Sequence, residues 1–103
     1  SGDAKISIQK ITVTPGDKPL SLSMHCHNMP LAAYVLSGEV KVVKESGQEQ
    51  SFIAGNAFIE MMNSWHKGVF AKKTELIVFY ASSSDLPLSV KKDGDAKLAS
   101  LCK

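Results

Sequence analysis

The strongest constraint in this sequence is a two-residue hydrophobic period. Apolar and polar side chains alternate through short runs rich in β-branched residues, and turn residues break the runs at intervals of roughly ten residues. The pattern predicts strands over 6–14, 20–27, 32–36, 39–44, 49–53, 57–62, 66–71 and 75–81, about eight in all. Pro15-Gly16-Asp17, Asn28-Met29-Pro30, Ser37-Gly38, Glu45-Ser46-Gly47, Ala54-Gly55-Asn56 and Asn63-Ser64 are the turns between them. No stretch before Ser83 has a helical period, so the expected class is all-β, a sandwich or barrel. With 103 residues the chain suffices for one domain, 1–103. Its core is expected over about 5–83, and a polar, lysine-rich surface tail over about 84–103 is expected to hold a short helix at 96–102.

Charge narrows the partners. All 12 basic residues are lysines, scattered along the chain, for a net charge of +2. The absence of arginine, the residue that reads phosphate and guanine bidentately, argues against nucleic acid. The longest apolar runs, 31–36 and 76–81, are far short of a membrane-spanning helix, so no membrane association is expected. The sequence opens at Ser1, which fits either a removed leader or an expression scar, and export to the periplasm or beyond and a cytoplasmic home both stay open. Cys26 and Cys102 fit a disulfide and two free thiols equally well.

The second predicted strand carries the chemistry. In a regular strand Leu20, Leu22, Met24 and Cys26 share one face, and Ser21, Ser23, His25 and His27 share the other. If the histidines point inward, the apolar set points outward and needs a cover, for which a symmetric partner subunit is one physical answer; a homodimer is therefore expected. His25 and His27 lie side by side within reach of one ion. His66, the third and last histidine of the chain, follows a turn at the start of a later strand. All three histidines falling in such positions predicts a site for one divalent metal ion, with Fe, Mn, Zn, Cu and Ni all compatible with imidazole ligands.

The stretch His25-Cys26-His27-Asn28-Met29-Pro30-Leu31-Ala32-Ala33-Tyr34-Val35-Leu36-Ser37-Gly38-Glu39-Val40 resembles the first motif of the cupin superfamily. Gly55-Asn56-Ala57-Phe58-Ile59-Glu60-Met61-Met62-Asn63-Ser64-Trp65-His66 resembles the second. The resemblance is strongest to small, single-domain cupins of the conserved-barrel, RmlC-like kind, many of which begin with an export signal. It implies a double-stranded β-helix, or jelly-roll barrel, with a metal inside. Two positions depart from the pattern: Leu31 stands where the first motif carries a glutamate ligand, and Phe70 stands where the second commonly carries asparagine. Three neutral imidazoles are left as the expected protein ligands, which keeps coordination positions open, as in catalytic metals.

Glu60 is the one carboxylate in an otherwise apolar strand. Pointing inward it would supply an acidic ligand from the opposite wall or a general base; pointing outward it would meet a lysine or a partner subunit, and the outward placement is the expectation here. Leu31, Ala33, Val35 and Phe70 are expected to line an apolar pocket. Tyr34 is assigned to the opposite face, Trp65 to packing or to the barrel mouth, and Met24, Met29, Met61 and Met62 to gap filling rather than to copper. The chemistry expected is that of a metal-dependent oxygenase or isomerase acting on a small organic molecule. The alternatives are a non-catalytic module that binds a small ligand, with or without metal, and a metal that only stabilises the barrel.

Overall fold

In the computed structural model, which describes residues 4–60, 63–83 and 89–103, the elements run β1 (Ala4–Val13), β2 (Leu20–Ser21), β3 (His25–Cys26), β4 (Leu31–Ser37), β5 (Glu39–Lys44), β6 (Glu49–Ile53), β7 (Ala57–Glu60), β8 (His66–Phe70), β9 (Thr74–Ser83), β10 (Val90–Lys91) and α1 (Ala96–Ala99). One sheet has the order β1-β9-β4-β7. The other has the order β10-β3-β8-β5-β6, with β2 also paired to β8. The pairings are antiparallel, and the chain passes back and forth between the two sheets as in a jelly roll. The expected all-β class and architecture are therefore observed.

The two-residue period explains the core. On β4, Leu31, Ala33 and Val35 are buried while Tyr34 and Leu36 face outward. On β9, Leu76 and Val78 are buried beside an outward Phe79. These inner faces meet Val40 and Phe70 of the second sheet, and Ile11, Val13, Val42, Phe52, Phe58 and Tyr80 close the cluster. Gly38 joins β4 to β5 at φ 82°, where a Cβ would stand 2.3 Å from the Lys73 carbonyl oxygen; only glycine fits so close to that backbone. The buried Thr74 beside it accepts from the Glu39 amide at 3.1 Å, locking the bend.

The predicted strand 20–27 is not regular. Leu20 pairs with Phe70 and Ser21 with Val69, yet His25 pairs with His66, so the step from Ser21 to His25 holds one residue more than the step from Val69 to His66. That extra residue is a bulge, and it turns the strand over. Before it, Leu20 packs into the core and Leu22 lines an interior cavity; after it, His25 and His27 line that same cavity. The single outward face of Leu20, Leu22, Met24 and Cys26 expected from strict alternation therefore does not exist.

The chain itself covers what faces outward. Cys26, fully buried, packs with Trp65 and Val90, and Met24, Leu98, Ala99 and Cys102 surround them. Cys26 and Cys102 form a disulfide. Val90 pairs with Cys26 as β10. Asp95 caps α1 by accepting from the amides of Lys97 at 2.9 Å and Leu98 at 3.2 Å. Lys92 pairs with Glu45 and sits over the Trp65 ring, 5.2 Å from its centroid. The described part of the tail lies on the surface, exposed for most of its length, and sets Val90, Leu98, Ala99 and Cys102 over Met24 and Cys26, which removes the need for a partner to cover them. The helix is shorter than the expected 96–102, with a turn carrying Cys102 to its partner. Met61 and Met62 lie outside the described residues.

Candidate metal centre

Two of the histidines belong to one sheet, and the third follows directly after its strand β3. His25 on β3 and His66 on β8 are directly opposite in the antiparallel pair, which brings their side chains onto one face. His27 follows two residues after His25 and is 4% exposed, as is His66. Ring centroids stand 4.5 Å apart for His25 and His66, 5.0 Å for His25 and His27, and 5.1 Å for His27 and His66.

Backbone carbonyls orient two of the rings. His25 Nδ1 donates to the Ser23 carbonyl at 2.8 Å, and His66 Nδ1 donates to the Ser64 carbonyl at 2.8 Å. Each carbonyl fixes the hydrogen on Nδ1 and leaves Nε2 as the ligand nitrogen, the usual arrangement behind a metal-bound imidazole. One ligand atom from each histidine lies within 4.8 Å of the other two. Ligands around one ion are at most roughly 4 Å apart, twice the metal–nitrogen distance. Small side-chain rotations close the difference, so the donor set fits a single divalent ion.

Glu60 enters from the other sheet, at the end of β7. Its Oε2 lies 2.8 Å from His66 Nε2 and 3.2 Å from His27 Nε2. The expectation that Glu60 points outward is therefore overturned. Phe58, packed against the core, is two residues away, and the same alternation that turns Phe58 inward turns Glu60 inward too. The site is closed across the sandwich, with imidazoles on one wall and a carboxylate on the other.

Burial opposes ionisation of Glu60, but the imidazoles of His27 and His66 outweigh it and hold the carboxyl at about 2. Burial likewise opposes a charge on His66, and the Glu60 carboxylate overcomes it, raising the His66 pKa. His25 is pushed down, first by burial. Burial and the nearby Glu60 raise the Tyr80 phenol, whose ring centroid is 5.9 Å from that of His27, so it remains a protonated donor near neutral pH.

Two spaces adjoin the site. An inner cavity of about 90 Å³ is bordered by His25, His27, Glu60, Leu31, Ala33, Phe70 and Tyr80. Val35, expected in this lining, is fully buried within the core cluster instead. An outer cleft of about 240 Å³ is bordered by His66, Glu60, Lys44, Gln48, Gln50, Phe52 and Phe58, with the two phenyl rings stacked at 4.2 Å. Glu60 stands between the two spaces. Lys44, Gln50 and Tyr80 were not singled out in the sequence, where nothing distinguishes them from other strand residues. Trp65 packs against the disulfide, and Tyr34 faces outward.

No protein-family model and no curated protein matches the sequence. Solved structures do match. A cupin-2 domain containing protein from Shewanella frigidimarina is 13% identical over 75% of this chain and 71% of its own, with a TM-score of 0.65. An RmlC-like cupin family protein with a double-stranded β-helix fold from Methanocaldococcus jannaschii is 18% identical over 76% of this chain and 71% of its own, at 0.64. DMSP lyase DddQ from Ruegeria pomeroyi is 13% identical over 87% of this chain and 45% of its own, at 0.67. At such identities the likeness is one of fold. Two antiparallel sheets wound as a jelly roll, superposable on these structures over most of this chain, give it the fold of a small cupin domain.

Proposed function

We propose that the protein is a metal-dependent cupin enzyme acting on a small organic molecule, with His25, His27 and His66 holding one divalent ion. The observation that carries this reading is the grouping of three histidines whose ligand nitrogens lie within 4.8 Å of one another beside two cavities, with the rings of His25 and His66 each held by a backbone carbonyl at Nδ1. An ion there supplies Lewis-acid or redox chemistry according to its identity, iron and manganese suiting oxygenase-type and isomerase-type reactions. The chain's own residues select and position the substrate. The outer cleft offers stacked Phe52 and Phe58 to a flat apolar body and the Lys44 ammonium to an anionic group, while Tyr80 presents a phenol hydrogen toward the inner cavity. That two of the matching solved structures are a DMSP lyase and an oxalate decarboxylase supports small-molecule chemistry on this fold, although this chain spans only 45% and 23% of those proteins.

Elemental analysis of protein purified without chelator or histidine tag tests the reading. About one equivalent of iron, manganese, copper or nickel per chain, lost in the His25→Ala/His27→Ala variant, is the expected result. Unchanged metal content in that variant would sink the three-histidine site. Protein that retains no metal and cannot be reconstituted would be a binding module instead, and zinc that never exchanges would be a structural ion.

We also propose a homodimer, built on a different face from the one strict alternation suggested. Ile8, Phe79, Ala32 and Ile59 are successive cross-strand partners and form an apolar row across β1, β9, β4 and β7. Ile6, Ile8 and Ile59 are 78%, 64% and 77% exposed. A flat apolar row of this kind is self-complementary about a two-fold axis, so a second copy is the occupant it fits. The Cys26–Cys102 bridge supports a home in an oxidising compartment, such as the periplasm. Acid-quenched alkylation of protein taken from its native cells should then modify neither cysteine; modification of both would place it in a reducing one.

A further inference from the structure

We propose that Glu60 is the fourth protein ligand of this ion, binding through Oε2 from the sheet opposite the histidines. The inference rests on the metal reading above and adds to it the charge and the wall that three imidazoles lack.

The contacts of Oε2 are those of neighbouring ligands. Ligand atoms that share one ion at about 2.1 Å and bind at right angles stand roughly 3 Å apart. Oε2 stands 2.8 Å from His66 Nε2 and 3.2 Å from His27 Nε2. The one carboxylate oxygen thus touches the Nε2 atoms of two rings at once. Atoms at this spacing match adjacent corners of one coordination sphere.

Charge points the same way. A divalent cation among three neutral imidazoles would carry its whole charge into a space lined mostly by apolar groups, and a carboxylate in contact with it offsets much of that cost. Among the described residues lining the inner cavity with His25 and His27, Glu60 is the only carboxylate. Its side chain is 14% exposed, and no lysine pairs with it among the ion pairs of the described residues.

The placement is specific to β7. Leu31 of β4 is the direct cross-strand partner of Glu60, so the two side chains share a face and border the same cavity. Position 31 is buried and apolar; position 60 carries the acid. A carboxylate at either position reaches the same space, and this chain has it on the strand next to the outer cleft.

Cobalt(II) is the probe, because its visible absorption reports coordination and its affinity can be read by competition with a chromophoric chelator. In Glu60→Gln the affinity for cobalt should fall by about 10–100-fold, with changed absorption bands. In the exchange variant Leu31→Glu/Glu60→Leu it should return to within a few-fold of the parent. Unchanged affinity and spectrum in Glu60→Gln would overturn the ligand assignment and leave the three-histidine site standing. Cobalt lost only in His25→Ala/His27→Ala would say the same, whereas no cobalt binding by the parent protein would remove the metal reading itself. If a variant does not fold, anomalous diffraction from cobalt-loaded parent crystals decides: a Glu60 oxygen within about 2.2 Å of the ion is the expected result, and one well beyond that distance overturns it.

Discussion

Cys26 lies between His25 and His27 in the chain and is bonded to Cys102, so the C-terminal tail is fastened at the point between two of the three imidazoles. The tail also reaches the third. The Lys103 amide donates to the Asn63 carbonyl at 2.8 Å, and the Trp65 amide donates to the Lys103 carbonyl at 3.3 Å, immediately before His66.

The bridge closes a separation of 76 residues. Cys26→Ser/Cys102→Ser should lower stability by about 2–4 kcal/mol. Because Trp65, the single tryptophan, packs on the bridge, its emission should shift to the red in the variant before global unfolding. A stability loss with unchanged tryptophan emission would show that the tail stays docked without the disulfide.

Two glycines with positive φ should respond very differently to a methyl group. Gly47, at φ 96°, has open space where a Cβ would go, whereas Gly38, at φ 82°, faces Lys73 backbone at 2.3 Å. Gly47→Ala should cost about 1–2 kcal/mol, the price of left-handed backbone alone. Gly38→Ala should cost more than about 4 kcal/mol or prevent folding. Urea unfolding of both compares them directly, and equal losses would contradict the close approach.

Asn63 holds φ 56°, and its Oδ1 accepts from Asn28 Nδ2 at 2.9 Å. Asn63→Ala meets both the backbone strain and the lost acceptor, whereas Asn63→Gly meets only the second. The alanine variant should therefore be less stable than the glycine variant by about 1 kcal/mol. Thermal unfolding with the two ranked in reverse order would refute the backbone argument.

In the metal-free protein the Glu60–His66 pair makes stability depend on pH from both sides. The Glu60 pKa lies at about 2, below its usual value of 4.5, so its contribution is complete above 4.5 and is lost as pH falls toward 2. The His66 pKa lies above its usual 6.5, so its contribution is complete below 6.5 and is lost as pH rises through the raised value. The stability difference between the chelator-treated parent and Glu60→Gln should thus be largest between about pH 4.5 and 6.5. A difference that is flat from pH 3 to 8, read by urea unfolding, would contradict the pairing.

Ile59→Lys and Ile8→Lys place charge at the two ends of the exposed apolar row of the four-stranded sheet. Light scattering should report a dimer for the parent and a monomer for either variant, with the fold retained because neither side chain belongs to the core. A monomeric parent would leave that face to some other partner.

The amino-acid sequence by itself determined the class of fold, most of the strands, the glycine bend at Gly38 and the grouping of three histidines, because each follows from a local period or from a residue's own backbone freedom. Alternation along β7 also held the inward direction of Glu60, once Phe58 is known to face the core. Tertiary structure alone decided the rest. The bulge before His25 arises from how β2 and β3 register against β8, and no period within residues 20–27 can express a pairing with residues 66–70. The tail's role depends on where Cys26 lies when Cys102 reaches it, a contact that joins distant parts of the chain. The carboxylate meets the imidazoles because two sheets pack face to face and bring β7 opposite β3 and β8, a proximity set by the fold's winding and not by any neighbourhood in the sequence.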